Sequence, residues 1–226
     1  MAMDKHIFNE EQLKRAEGII RNPLAKLSSL TSSELRDLAV IWCYYSGKIE
    51  GNTYTYVETE TLLKDGITPE KRYEDAKMLK NLHNTFVGEL EYIHKRKNQE
   101  QIDERTLFRI HSTISDGLVS NREDIMQKLG MILFEQEQYQ NPLERAVFLH
   151  CNVARIQPFI DGNKRTSRML ESVVMMNADL IPVYSAKDAD ILHYRRGLIA
   201  FYETGDYTQY ADYFLGRLEE RLKEIE

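Results

Sequence analysis

Two hundred and twenty-six residues at 42% hydrophobic content can bury one substantial core, and nothing in the composition calls for a second domain. A net charge of −6 leaves no basic footprint for nucleic acid, and no apolar run reaches the length a membrane span needs. Cys43 and Cys151 lack metal spacing and a disulfide framework, and no signal peptide is evident, so the expectation is a soluble cytoplasmic protein with no nucleic-acid or membrane partner.

Helical periodicity runs through almost the whole chain, with five prolines and few alternating β-branched runs, so the fold class read from the sequence is all-α. A short helix over residues 9–21 ends at Asn22-Pro23. The next begins near Ser32-Ser33-Glu34 and sets Leu35, Leu38, Trp42, Tyr45 and Ile49 in one core stripe before Gly51 stops it. Ser46-Gly-Lys-Ile-Glu50-Gly51-Asn52, by itself, is a helix C-terminus with a glycine stop and a solvated glutamate. In the long segment 69–95, Leu79, Leu82, Phe86, Leu90 and Ile93 keep helical spacing. His83 and His94 have no partner at ligand spacing and read as surface or boundary residues. A further amphipathic helix covers 103–115, residues 116–121 make a turn, and another helix follows from about 123 to 136. No strand-like alternation with hairpin chemistry is visible between these two helices.

The chemistry concentrates in residues 155–168, Arg-Ile-Gln-Pro-Phe-Ile-Asp-Gly-Asn-Lys-Arg-Thr-Ser-Arg. An apolar helix over 142–155 runs into Gln157-Pro158, a tight Asp161-Gly162-Asn163 turn follows, and a second apolar helix starts near Asn163. Glycine lets backbone approach a ligand, and the first turn of a helix offers unpaired N–H groups and a positive dipole end, which suits an anion. Arg165 and Arg168 share a helix face beside that end, and their guanidinium forks suit phosphate oxygens. Asp161 offers a hard oxygen for Mg²⁺, which takes one or two carboxylates together with phosphate and water. These residues together describe a nucleotide polyphosphate site. The plainer reading makes Asp161 a turn residue or helix N-cap and leaves the arginines solvated. Beyond this stretch a buried helix runs to Ala178, a link at Ile181-Pro182 leads to a helix opening near Ser185, and Gly205-Asp206 separates it from the last helix, 208–226, whose charged tail reads as a solvated cap. Tyr184, Tyr194, Tyr202, Tyr207, Tyr210 and Tyr213 fall mostly at core or boundary spacing.

Residues 157–168 resemble the signature of Fic/Doc (fido) proteins, His-x-Phe-x-(Asp/Glu)-Gly-Asn-Gly-Arg-x-x-Arg, matching at Phe159, Asp161, Gly162, Asn163, Arg165 and Arg168. The resemblance implies a Fic/Doc-like helical bundle with the signature turn at the N-terminus of a central helix. It also implies Mg²⁺ and ATP as cofactors, with Gly162, Asn163, Lys164, Arg165 and Arg168 binding nucleotide, Asp161 holding the metal, and transfer of AMP to a hydroxyl of an unidentified target protein. Many such proteins carry an inhibitory helix reading (Ser/Thr)-x-x-x-Glu-(Gly/Asn), whose glutamate takes the γ-phosphate position against the second signature arginine. Ser46, Glu50 and Gly51 fit it, with Arg168 as the expected partner of Glu50. The implied layout is one domain: N-terminal helices over 1–66 with the inhibitory motif at 46–51, a core over about 69–205, and a C-terminal helix over 206–226. The flap hairpin that usually docks the target is expected to be short or absent near 117–122.

The match departs from the signature twice. Gln157 stands where the family has its histidine general base, and a glutamine amide accepts no proton at neutral pH. Lys164 stands where most members have a second glycine, as in Doc toxins, which phosphorylate their target. His150 is two helical turns before Gln157, roughly 10 Å along the axis at 1.5 Å per residue, and reads as a buried structural residue and not a substitute base. Three functions stay open: an autoinhibited, weakened transferase of AMP or phosphate, a nucleotide-binding module without useful catalysis, and a helical interaction protein that no longer binds nucleotide. Homo-oligomerisation is also open.

Overall fold

The computed structural model describes residues 5–68, 71–116, 126–159 and 161–225. Among them the regular structure is helical, with one isolated antiparallel bridge between Lys26 and Leu180. Helix α1 spans Glu10–Arg21, α2 Ser32–Ile49 and α3 Tyr56–Asp65, and the three begin alike. Asn9, Thr31 and Thr55 each accept a hydrogen bond from the backbone three residues on, while Gln12, Glu34 and Glu58 reach back to the cap, so local sequence fixes all three starts. Glu50 caps the end of α2, and Gly51 turns the chain away at φ 84°. Helix α4 (Tyr73–Leu90) runs into a π turn over Glu91–Lys95 that periodicity does not reveal, and α5 (Glu104–Ile114) follows. Next come α6 (Met126–Glu135), α7 (Pro142–Ile156), α8 (Asn163–Asn177), α9 (Asp188–Thr204) and α10 (Thr208–Ile225).

The middle of the molecule is α8, in which every residue from Arg165 to Met176 is buried. A helix buried all round must satisfy its own polar groups. Ser167 returns its hydroxyl to the Asn163 carbonyl at 2.7 Å, and Ser172 accepts the Trp42 indole N–H at 3.0 Å. Helix α7 lies along α8, with α4 and α5 on another side, while α9 and α10 pack on each other. Each fully buried Leu, Val, Phe or Met in this centre contributes about 1.5–3 kcal/mol.

Two sequence readings need correction. The last helix is not a solvated cap: Tyr210, Ala211, Phe214, Leu215, Leu218 and Leu222 are buried, and Arg15 of α1 pairs with Asp212 and Glu219 of α10. Helix α9 opens at Asp188, because the Ser185 hydroxyl accepts the Lys187 amide at 3.1 Å and holds a turn before it. The flap expectation, at 117–122, lies outside the described residues. Among those described, no helix is long and apolar enough to cross a membrane.

Candidate functional site

The turn between α7 and α8 is assembled from backbone geometry and three side chains. Helix α7 stops because Gln157 adopts left-handed backbone (φ 45°, ψ 64°) and Pro158 lacks the amide to continue it. A non-glycine residue in that region costs about 1–2 kcal/mol. Asn163 straps the turn: its Oδ1 accepts the Phe159 amide at 2.9 Å and its Nδ2 donates to the Phe159 carbonyl at 2.7 Å. Gly162 sits at φ 80°, and a Cβ there would meet the Ser115 hydroxyl at 2.7 Å, so both conformation and space demand glycine. His111 of α5 supports the turn from below, its ring stacked 3.5 Å from Phe159 and its Nε2 2.9 Å from the Asp161 carbonyl oxygen.

Neither signature arginine is solvated, which removes the plainer reading of them. Arg165 donates from Nη2 to Asp161 Oδ2 at 2.6 Å, and its buried Nη1 has no hydrogen-bond partner among the described residues. Gly162, not Asp161, occupies the N-cap of α8.

Arg168, 0% exposed, is enclosed by two helices. From α2, the Ser46 hydroxyl accepts Nε at 3.0 Å, the Ser46 carbonyl accepts Nη2 at 3.2 Å, and Glu50 Oε1 accepts Nη2 at 2.8 Å. From α9, the Tyr194 hydroxyl accepts Nη1 at 3.2 Å. Burial alone would raise the Glu50 carboxyl, but the charge and hydrogen bond of Arg168, with Arg165 and Lys164 beyond it, hold it below the usual carboxylate range.

Glu50, Gln157, Asp161, Gly162, Asn163 and Lys164 line one cleft of about 170 Å³, with Ala154 at its back. Ser46, Arg165 and Arg168 are buried and are not among these lining residues. At that size the cleft falls short of the roughly 300–1,000 Å³ of ordinary ligand pockets, and the Glu50 side chain is one of its walls. A roomier groove of about 360 Å³ lies between α2, α10 and residues 182–187, but it is rimmed by acids and bases alike and includes none of the turn residues. The turn residues at the start of α8, not size, select the smaller cleft.

Asp161 is 61% exposed, and its Oδ2 is engaged by Arg165. Among the described residues no group of three His, Cys, Asp or Glu side chains converges as a metal cage. One exposed carboxylate fits Mg²⁺ only when the ion arrives with phosphate and water as its other ligands.

Several supporting residues escaped the sequence reading. His111 was only one residue on the buried face of α5, and nothing in its spacing tied it to a turn fifty positions away. Glu171 is fully buried and accepts the hydroxyls of Tyr184 and Tyr210. A lone glutamate inside the apolar run Met169–Met176 was the available signal, since a buried carboxylate needs partners. His150 is fully buried, with Nε2 3.1 Å from the Tyr194 hydroxyl, and is not among the residues lining the cleft.

A buried central helix, a glycine turn at its N-terminus and a cleft at that turn backed by two buried arginines define the class: this is the all-helical Fic/Doc fold. Residues 73–175 match the Fic/DOC family. The chain is 24% identical over 189 residues to protein adenylyltransferase fic-1 of Caenorhabditis briggsae, an alignment covering 73% of this chain and 37% of that protein. The chain thus spans little more than a third of that curated relative. In structure it resembles residues 134–508 of Caenorhabditis elegans Fic-1 (TM-score 0.80, 19% identity, 95% of this chain and 70% of that one). It also resembles a Fic family protein from Desulfovibrio desulfuricans (TM-score 0.77, 19% identity, 98% and 76%).

Proposed function

We propose that the chain is a nucleotide-dependent transferase of the Fic type whose nucleotide site is held shut by its own Glu50 and whose turnover is weakened by Gln157. The observation that carries this reading is the Glu50 carboxylate seated on Arg168 at 2.8 Å, in the wall of a cleft formed by the N-terminus of α8. A carboxylate in that position stands where an anionic ligand group would otherwise meet the guanidinium. The backbone at Gly162 and Asn163, with Lys164 and Arg165, supplies the remaining positive potential for a polyphosphate. Asp161 would hold a Mg²⁺ ion delivered with ATP, whose contribution would be to neutralise phosphate charge. The distant adenylyltransferase relatives supply ATP and a protein hydroxyl as the substrate classes, and Ser46 is the second α2 contact that keeps Arg168 engaged with Glu50.

What these residues do not supply is a proton acceptor for the attacking hydroxyl. The Gln157 carbonyl can orient a hydroxyl but cannot take its proton, and losing a general base costs on the order of 10²–10⁴ in rate. That deficiency supports a second reading, a nucleotide-binding regulatory module that turns over too slowly to matter. Labelling with ATP radioactive at the α-phosphate separates the two. The natural protein and Glu50→Gly alone should label themselves weakly, and Glu50→Gly with Gln157→His should label strongly. Adding Lys164→Gly should increase labelling by clearing space at the anion turn. Base, anion turn and released arginine act as a unit, so the effects should be strongly non-additive, the combined gain far exceeding the product of the single gains. Equal labelling by natural and repaired proteins would refute the impaired-base account, and silence from all of them despite ATP binding would favour the regulatory module.

A further inference from the structure

Arg168 is gripped from two sides that differ in kind. Ser46 and Glu50 belong to α2, and Glu50 must leave the guanidinium if an anion is to replace it. Tyr194 belongs to α9, is 1% exposed, and is not among the residues lining the cleft. Its hydroxyl lies 3.2 Å from Arg168 Nη1 and its ring centroid 5.9 Å from the guanidinium carbon.

The proton arithmetic of this contact fixes its direction. A guanidinium only donates, while a phenol has one proton to give and two lone pairs to receive with. The Tyr194 oxygen therefore accepts from Arg168, which leaves its own proton for His150 Nε2, 3.1 Å away. With Nε2 accepting, the imidazole proton sits on Nδ1. That nitrogen is 2.9 Å from Glu171 Oε2, though at an angle too sharp for a good hydrogen bond. Donors thus run one way, from Arg168 to Tyr194 to His150 and on toward Glu171. At the far end, the hydroxyls of Tyr210, at 2.9 Å, and Tyr184 anchor the Glu171 carboxylate. His150 on α7 and Glu171 on α8 turn the Tyr194 lone pair toward the arginine without touching the cleft.

We propose that Tyr194, set by His150 and Glu171, is a positioning residue that keeps the Arg168 guanidinium aimed at the cleft when Glu50 is not on it. The inference rests on the reading of the cleft as a nucleotide site, and it names a contact from outside α2 that, beside those of Ser46, survives release of the inhibitory one. It separates Glu50 and Tyr194 by role: Glu50 occludes, Tyr194 aims.

A crystal structure of the Glu50→Gly protein tests the aim without any ligand, and it should show Arg168 still hydrogen-bonded to Tyr194. A guanidinium that has turned away overturns the proposal whether or not ATP binds. Calorimetric titration of Glu50→Gly with and without Tyr194→Phe then tests the consequence. Mg²⁺-ATP should bind about tenfold more weakly to the double variant, the size of one hydrogen bond to a charged group. AMP, which lacks the terminal phosphates that would take the place of Glu50, should change little. A merely structural tyrosine would lower the melting temperature and weaken ATP and AMP alike, and that result, or unchanged ATP affinity, overturns the proposal. A guanidinium in place in a Glu50→Gly protein that binds no ATP would refute the nucleotide reading while supporting the positioning role.

Discussion

In the proposed function Glu50 and Gln157 would bear on turnover in different ways, and pH separates the first from the second. The Glu50 carboxyl is held low in the folded protein, so its contribution to stability is present above the ordinary carboxylate value, about 4.3, and is lost as pH falls through the depressed one. Glu50→Gln should therefore cost about 1–3 kcal/mol at pH 7, leaving a buried guanidinium without its charge partner. The gap in melting temperature between the two proteins should close on acidification below about pH 4, as the natural residue takes up its proton. A gap that stays constant down to pH 3 would mean the ion pair contributes nothing. The pairing of Glu50 with Arg168 was legible because the resemblance named that partner, while the contacts of Ser46 with the same arginine were not. The left-handed backbone of Gln157 was not legible, since nothing at that position announces a positive φ other than the proline after it. The chain from Tyr194 through His150 toward Glu171 draws one residue from each of three helices, and no spacing within a single helix encodes it.

At the scale of elements, apolar spacing and breaker residues placed the helices, and errors arose where charge hid a stripe. In α10 the residues Glu219, Glu220, Arg221 and Lys223 suggested a solvated tail, yet Leu218 and Leu222 continue the buried row that starts at Tyr210. The long basic and acidic side chains lie along its flanks, as Arg15 with Glu219 and Lys187 with Glu220 show. Packing of α9 on α10 depends on Gly197, where an added Cβ would lie 2.8 Å from the Tyr210 Cα. Backbone cannot yield there as a side-chain tip could. Gly197→Ala should destabilise the protein by about 1–3 kcal/mol, lowering the melting temperature by several degrees. By moving α9 it should also loosen the Tyr194 contact with Arg168. An unchanged melting temperature would show that the two helices are not locked at this point.

Across the whole molecule, the same central helix carries the anion turn at its start and Arg168 one turn further in, and the flanking helices decide what the arginine meets. Helix α2, N-terminal to the Fic/DOC-matching region, brings the Glu50 carboxylate; α9, C-terminal to it, brings the Tyr194 hydroxyl. The all-α class and the position of the signature turn could be read from the sequence, because periodicity and glycine chemistry are local. Cleft volume and the burial of both arginines could not, because they depend on how distant helices close around α8. The account stands or falls on whether Glu50 occupies the place of a ligand. Calorimetric titration of Mg²⁺-ATP into the natural protein and into Glu50→Gly tests this most directly. Freeing Arg168 and removing the like charge should tighten binding by at least about tenfold, or roughly 1.4 kcal/mol, with folding intact. Equal affinity in the two proteins would contradict the account.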